Sequence, residues 1–318
     1  MNFSAQIKAK ASELGFAKTG ITAANGLDTE GSNLREWLAR GFSADMAWMQ
    51  NHLEKRIDPR VLFPGAKSII VVAQNYYTSH KHGEEVEKGK ISRYAWGDDY
   101  HHVVHDKLKQ LLAWIKEQDA SAEGKVCVDT APMMDKAWAV RAGIGWLGKH
   151  SNVITTEIGS WIFIGSLILN IELDHDREIV DDHCGTCTAC LDACPTSAIV
   201  EPYIVDSRKC ISYATIELRD ETLPREITEN LEGWLYGCDI CQDVCPWNRF
   251  EKQTDEIRFE PRENETSLVL DSVISMTHDE YVERFRRSAM KRAKLGGLKR
   301  IANQYFVSRL ISTIELPS

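Results

Sequence analysis

Eight of the nine cysteines lie between Cys184 and Cys245, in two runs spaced like iron–sulfur ligands. The first is Cys184-x2-Cys187-x2-Cys190-x3-Cys194-Pro195; the second is Cys210, then Cys238-x2-Cys241-x3-Cys245-Pro246. Three cysteines at such spacing wrap one cubane, while the fourth, next to proline, ligates the neighbouring cluster. By that rule Cys184, Cys187, Cys190 and Cys245 hold one [4Fe–4S] cluster, and Cys194, Cys210, Cys238 and Cys241 hold the other. Two four-cysteine zinc sites are the competing assignment. Structural zinc draws on separated C-x2-C pairs, and a third cysteine at the same short spacing serves a tetrahedral ion poorly. Cys127, the ninth, falls in an apolar strand and reads as a small core hydrophobe.

Two such clusters pass single electrons and do little chemistry alone. The residues ahead of them must therefore hold an electron-accepting cofactor or a partner surface. Up to about residue 170 the chain alternates helices and strands. Helices are expected at Phe3 to Leu14 and Asn33 to Arg40, and a buried strand at Lys67 to Ala73 after the Pro64-Gly65 breaker. Val103, Val104, Leu108, Leu111, Leu112 and Ile115 repeat at helical spacing from Tyr100 to Gln118. A short strand (Lys125 to Asp129) and a helix (Met133 to Arg141, ended by Gly143-Ile-Gly145) follow. Val153 to Thr156 and Trp161 to Leu169 then read as a hairpin. This predicts an α/β or α+β domain over 1–175, a ferredoxin-like double-cluster domain over 176–250, and a C-terminal helical segment over 251–318. Asp174 to Asp182 forms an acidic connector, Asn248 to Glu265 a polar loop, and Gly296-Gly297 a break dividing the final helices.

At 318 residues, with 43% hydrophobic and 27% charged, the composition is that of a soluble globular protein. No stretch reads as a signal peptide or a membrane span, and cysteines clustered as ligands suit a reducing compartment, so a cytoplasmic protein is expected. The net charge of −9 excludes a generally basic nucleic-acid binder. The charge is unevenly spread, however: from Arg284 to Arg309 there are nine Lys or Arg residues and no Asp or Glu. That run is either a solvated helix face or a surface for a polyanion. No G-x-G-x-x-G or P-loop is present.

Several segments together resemble the epoxyqueuosine reductase family. They are Asp129-Thr-Ala-Pro132, Arg141-Ala-Gly-Ile-Gly-Trp-Leu-Gly-Lys149, Arg93-Tyr-Ala-Trp-Gly-Asp-Asp-Tyr-His-His102, Leu62-Phe-Pro-Gly-Ala-Lys-Ser68, and Tyr236-Gly-Cys-Asp-Ile-Cys241 within the double cysteine motif. The resemblance covers most of residues 50 to 250. It implies a cobalamin-dependent enzyme that reduces epoxyqueuosine to queuosine at the wobble position of tRNA. Electrons would pass through both clusters to cobalamin from a low-potential donor such as ferredoxin or flavodoxin. The N-terminal fold would be that of a cobalamin-binding domain, and nothing demands more than a monomer.

The resemblance also implies residue roles. Asp129 matches the proton donor; read alone, it suits a cap for the helix expected near Met133. As a general acid it would need a raised pKa, which burial beside a flat, mostly apolar macrocycle would supply. Arg56, Ser92, Val153, Ile164, Ser212 and Asp239 match positions around the corrin. No Asp-x-His-x-x-Gly motif indicates histidine ligation of cobalt. His101, His102 and His105 read as exposed or hydrogen-bonded, with a lone metal site as the other possibility. Arg287, Lys291, Arg292, Lys294, Lys299 and Arg300 are the expected tRNA-phosphate contacts. One departure stands out: many relatives continue into a helical-repeat domain, of which this chain keeps about one unit. A reductive dehalogenase, usually exported with a twin-arginine signal absent here, and a bare electron carrier are the alternative readings.

Overall fold

A computed structural model describes residues 2–83, 85–176 and 180–314; positions 177–179 of the acidic connector lie outside them. Its centre is a four-stranded antiparallel sheet in the order Lys18–Ala23, Ser68–Asn75, Ile162–Leu169, Gly124–Cys127. All eight residues of Ser68–Asn75 are buried, because helices cover both faces of this strand. Its side chains alternate accordingly. Ile70 and Val72 pack with Ile7, Val104, Leu108 and Leu111 beneath the helices Phe3–Glu13 and Tyr100–Gln118. Ile69, Val71 and Ala73 pack with Leu27, Trp138 and Ala139 on the opposite side, beneath Asp28–Ala39 and Asp135–Arg141. Two glycines set the layer spacing. A Cβ on Gly20 would lie 1.9 Å from the carbonyl oxygen of Ala142, and one on Gly165 would lie 2.7 Å from a Val104 methyl. Both helices therefore approach strand backbone at distances that no side chain permits.

A second core joins what the sequence separates. Lys88–Ile91 pairs in parallel with Trp234–Tyr236 and antiparallel with Ser267–Val269. Around these strands, Ile211, Ala214 and Ile227 from the insertion in the second cysteine run pack with Val273, Tyr281, Leu298, Ile301 and Ala302 from the C-terminal segment. The insertion is thus the seat of the C-terminal helices.

Two expectations are corrected here. Gly296-Gly297 does not divide the C-terminal helices, because Lys294–Ile314 runs through it unbroken. The break falls earlier, where Arg287 and Lys294 take positive φ angles of 58° and 60° around the 3-10 turn Ala289–Ala293. Burial of Leu298, Ile301 and Ala302 outweighs the helix penalty of about 1 kcal/mol per glycine. The hairpin at 153–169 is also not formed as expected. Val153–Ile154 pairs with Trp146–Leu147, Ile162–Leu169 joins the central sheet, and a single Thr155–Gly159 bridge connects them. The expected turn is occupied by Asn248, whose Oδ1 accepts a bond from the Ser160 amide at 2.7 Å.

The segment after the last cysteine is tied to the sheet domain. The Asn75 side chain donates to the Lys252 carbonyl at 2.8 Å, and the Thr254 amide donates to the Tyr77 carbonyl at 2.8 Å. Beneath the long helix, Lys107 pairs with Glu256 at 2.7 Å and donates to Gln74 Oε1 at 2.9 Å. Arg258 grips the same carboxylate at 2.7 and 2.8 Å. The Arg258 bonds, reinforced by Lys107, pull the Glu256 pKa down to about 2. Its stabilising contribution is therefore complete above the ordinary value of 4.5 and is lost as pH falls toward 2. Glu256→Gln leaves a buried ammonium without its counter-charge. It should destabilise the protein by about 3 kcal/mol, read at neutral pH as a lower urea midpoint; an unchanged midpoint would show that the pair is not buried.

Candidate active site

The eight cysteines divide between two chambers. Cys184, Cys187, Cys190 and Cys245 line one of about 200 Å³, with Lys149, His150 and Trp247. Cys194, Cys210, Cys238 and Cys241 line a larger one of about 530 Å³. This is the division expected from the crossing of the fourth cysteine. No two of the nine cysteines are joined in a disulfide. Among the described residues, no group of three or more His, Cys, Asp or Glu is placed to hold a single metal ion. The quartets border spaces instead of closing on a point, an arrangement that suits a cubane better than a tetrahedral zinc. Cys127 lies buried at the end of its strand, packed in the core under Trp138.

The larger chamber also holds Asp129. Its wall includes Tyr76, Ser92, Tyr94, Tyr100, Asp135, Lys136, His150, Phe163, Ile164, Ser212 and Asp239. Sulfur, aromatic rings and carboxylates therefore share one cavity. Asp129 follows the strand Gly124–Cys127, and its backbone turns at φ 48°, in the left-handed region. It does not cap the next helix, which begins at Asp135 with Met134 before it. Its Oδ2 accepts from Tyr100 Oη at 2.8 Å and from His101 Nε2 at 3.0 Å. The other ring nitrogen of His101 faces Asp99 Oδ1 at 2.6 Å. Tyr100 stacks on both His101 and Phe163, at 4.1 and 4.3 Å between ring centroids. The long helix thus delivers a tyrosine and a histidine from its first turn onto one carboxylate oxygen.

These contacts reverse the expected pKa of Asp129. Burial works upward, but the bonds from His101 and Tyr100 prevail, and the carboxyl lies below its ordinary value. Burial works against the His101 cation too, yet Asp129 and Asp99 outweigh it and raise the imidazole to about 9. At neutral pH the pair therefore holds its proton on His101. Sequence reasoning read His101 as exposed or hydrogen-bonded, without naming its partners, and gave Tyr100 and Asp99 no role. Nothing in the sequence connects them to Asp129, 28 residues away from His101.

The cavity fits a polar-edged cofactor. Asp135 is enclosed, with its pKa raised to about 7 by burial and then by Asp129, and its Oδ1 has no protein partner. A buried acceptor of this kind asks for a ligand donor, such as the amide fringe of a corrin. Of the expected corrin contacts, Ser92, Asp129, Ile164, Ser212 and Asp239 line the cavity. Ser92 Oγ donates to Asp239 Oδ1, and the Arg93 amide donates to Asp239 Oδ2 at 2.8 Å. Val153 lies in the core, paired with Leu147. Arg56 stands outside the cavity lining. Its guanidinium donates to the Trp48 carbonyl at 3.1 Å and lies 5.6 Å from the Trp48 ring, within the electrostatic reach of Asp135 and Asp129.

The basic tail is divided in use. Arg287, Lys291, Arg292 and Lys294 are exposed, and Lys299 is half-buried. Arg292 also pairs with both Glu217 oxygens at 2.7 Å. Arg300 is committed inward, donating to the carbonyls of Ala214, Leu218 and Asp220. Among the described residues, no helix is long and apolar enough to cross a membrane.

Residues 56–130 match the family model described as epoxyqueuosine reductase QueG, DUF1730, and residues 183–248 match a 4Fe-4S double cluster binding domain. The epoxyqueuosine reductase of Cellulophaga algicola is 49% identical over 294 residues, covering 92% of this chain and 95% of its own. A crystal structure of epoxyqueuosine reductase with a tRNA-Tyr epoxyqueuosine-modified stem loop superposes with a TM-score of 0.90 at 31% identity. It covers 95% of this chain and 80% of that one. A Bacillus subtilis epoxyqueuosine reductase, solved with its catalytic aspartate loop swung out of the active site, gives 0.88 at 30% identity, over 95% and 80% of the two chains. Similarity of this depth, running nearly end to end, makes the chain a member of the epoxyqueuosine reductase family.

Proposed function

We propose that this protein reduces epoxyqueuosine to queuosine in the anticodon loop of tRNA, with the reaction confined to the cavity that the second cysteine quartet shares with Asp129. That shared cavity is the observation that carries the reading, since it brings an electron entry and a proton source to one space. The relative solved with a modified tRNA stem loop supports the substrate. In this reading each cysteine quartet holds one [4Fe–4S] cluster and the larger cavity holds cobalamin. Ser92, Ile164, Ser212 and Asp239 form its wall, Asp135 accepts from its amide edge, and Arg56 stands at the rim. When bound, these groups supply electrons one at a time and the low-potential reducing chemistry that epoxide opening requires.

The chain's own residues manage the protons. Both carbon–oxygen bonds of the epoxide break, a carbon–carbon double bond forms, and the oxygen leaves as water, consuming two electrons and two protons. His101 stores one of these protons on Nε2, Asp99 orients the ring, and Asp129 Oδ2 passes that proton to the departing oxygen, while the second proton comes from solvent. Tyr100 fixes the carboxylate against the aromatic wall. Outside, Arg287, Lys291, Arg292, Lys294 and Lys299 lie where loop phosphates pass while the modified base enters the cavity. Arg300 acts from beneath by holding the insertion. A low-potential donor, ferredoxin or flavodoxin, approaches the first quartet, where Cys187 is exposed. The protein works as a cytoplasmic monomer, with a catalytic region at 1–175, a cluster region at 176–250 and an RNA-contacting segment at 251–318.

The decisive assay incubates cluster- and cobalamin-loaded protein with epoxyqueuosine-tRNA and a low-potential reductant, then analyses the nucleosides. Queuosine is expected; its absence from fully loaded protein would refute the reading. Asp129→Asn should slow turnover at least about hundredfold, whereas a bare electron carrier would be indifferent to it. kcat/KM should hold through neutrality and fall as pH rises through about 9, where His101 loses its proton. In His101→Gln that alkaline limb should vanish and the rate should be low throughout. For the clusters, Cys245→Ala should abolish the same electron paramagnetic resonance signal as Cys187→Ala, and Cys194→Ala the same one as Cys238→Ala. Pairing of Cys245 with Cys238 would break the crossed assignment.

A further inference from the structure

His150 occupies a position that its neighbours do not explain. It is 4% exposed, and among the described residues it is the one that lines both the first-quartet chamber and the larger cavity. Its Nδ1 accepts the backbone N–H of Asn152 at 3.2 Å, which fixes the tautomer. A neutral ring accepting at Nδ1 carries its hydrogen on Nε2. That Nε2 is buried and has no protein partner. Leaving a buried N–H without an acceptor is unfavourable, so such groups are found bonded to a ligand when a protein is complete. Four cysteines line each chamber, so cluster and thiolate sulfur is the acceptor type that both sides would offer this N–H. The other imidazole at these walls, His183, is exposed and meets Trp146 edge-on and Trp247 at a tilt, so it does not share this constraint.

We infer that the Nε2–H of His150 donates a hydrogen bond to an iron–sulfur cluster, in the partition between the two clusters, and so sets the potential of at least one of them. The inference rests on the two-cluster reading and adds a positioning residue to it. A donor aimed at cluster sulfur favours the reduced, more negative state and raises the potential; removing it makes the cluster harder to reduce. Through that bond His150 would govern how readily an electron crosses from the first quartet to the second. The short loop after the strand Trp146–Leu147, closed by the bond from the Ser151 amide to the Gly148 carbonyl at 2.8 Å, holds the ring in the partition.

The test is a redox titration of the reconstituted protein, following each reduced cluster by electron paramagnetic resonance, in wild type, His150→Phe and His150→Gln. His150→Phe keeps the ring shape without the donor and should lower at least one cluster potential at unchanged iron content. His150→Gln, which restores an N–H at that reach, should return the potential toward wild type. Unchanged potentials in His150→Phe with both clusters present would overturn the inference and leave the N–H to a water molecule. If His150→Phe fails to hold its clusters, 15N-histidine-labelled His183→Phe protein decides the matter. A nitrogen hyperfine coupling to a reduced cluster supports the bond, and its absence refutes it. Failure of wild-type protein to show any iron–sulfur signal would instead refute the cluster reading itself.

Discussion

The structure turns on the clamp that holds the cysteine-bearing segment against the central sheet. Asn248, three residues after Cys245, is buried. Its Oδ1 takes the Ser160 amide at 2.7 Å, and its Nδ2 donates to the Gln242 carbonyl at 2.7 Å and to Ser160 Oγ at 3.1 Å. Gly159 leaves the space, since a Cβ there would meet Asn248 Oδ1 at 2.2 Å. The Lys107–Glu256 pair and the hydrogen bonds at Asn75 and Tyr77 fasten the chain beyond it. Without this docking the second quartet would have no fixed relation to Asp129, which belongs to a different sheet edge. Electron transfer and proton delivery both depend steeply on distance, so the clamp is the condition for any chemistry in the cavity.

The polarity of Asp129 follows from its neighbours. Held at a positive φ, it occupies backbone conformations that cost a non-glycine residue about 1 kcal/mol or more, and the bonds from Tyr100 and His101 compensate. The same bonds keep it ionised, so the acid in this site is a pair. A carboxylic acid beside an apolar macrocycle would need burial alone to stay protonated. An imidazolium with two carboxylates around it keeps its proton without that burial. The 60% accessibility of the Asp129 side chain fits that arrangement, since the group is surrounded by protein yet faces open space.

What was legible in the sequence was what short-range spacing encodes. The cysteine runs gave their own partition, and Tyr100–Gln118 is a helix over the residues its periodicity predicts. Strands of two to four residues such as Trp146–Leu147 and Lys88–Ile91 carry too little pattern to be read, and the partners of Lys88–Ile91 lie far away in sequence. The glycine pair at 296–297 misleads because propensity is a weak force beside the burial of Leu298 and Ile301. Arg300, one basic residue among many in sequence, is seen to be structural only when the carbonyls of 214, 218 and 220 close around it. The resemblance pointed to Asp129, but the direction of its pKa shift is a property of three side chains meeting in space.

The central claim is that one cavity joins the second cysteine quartet to the cobalamin beside Asp129. It is tested most directly by pulsed electron paramagnetic resonance on protein holding cob(II)alamin and reduced clusters. A dipolar coupling between cobalt and a cluster is predicted, lost in Cys238→Ala and retained in Cys187→Ala. Bound cobalamin with no coupling, or with a coupling that follows Cys187, would contradict the account.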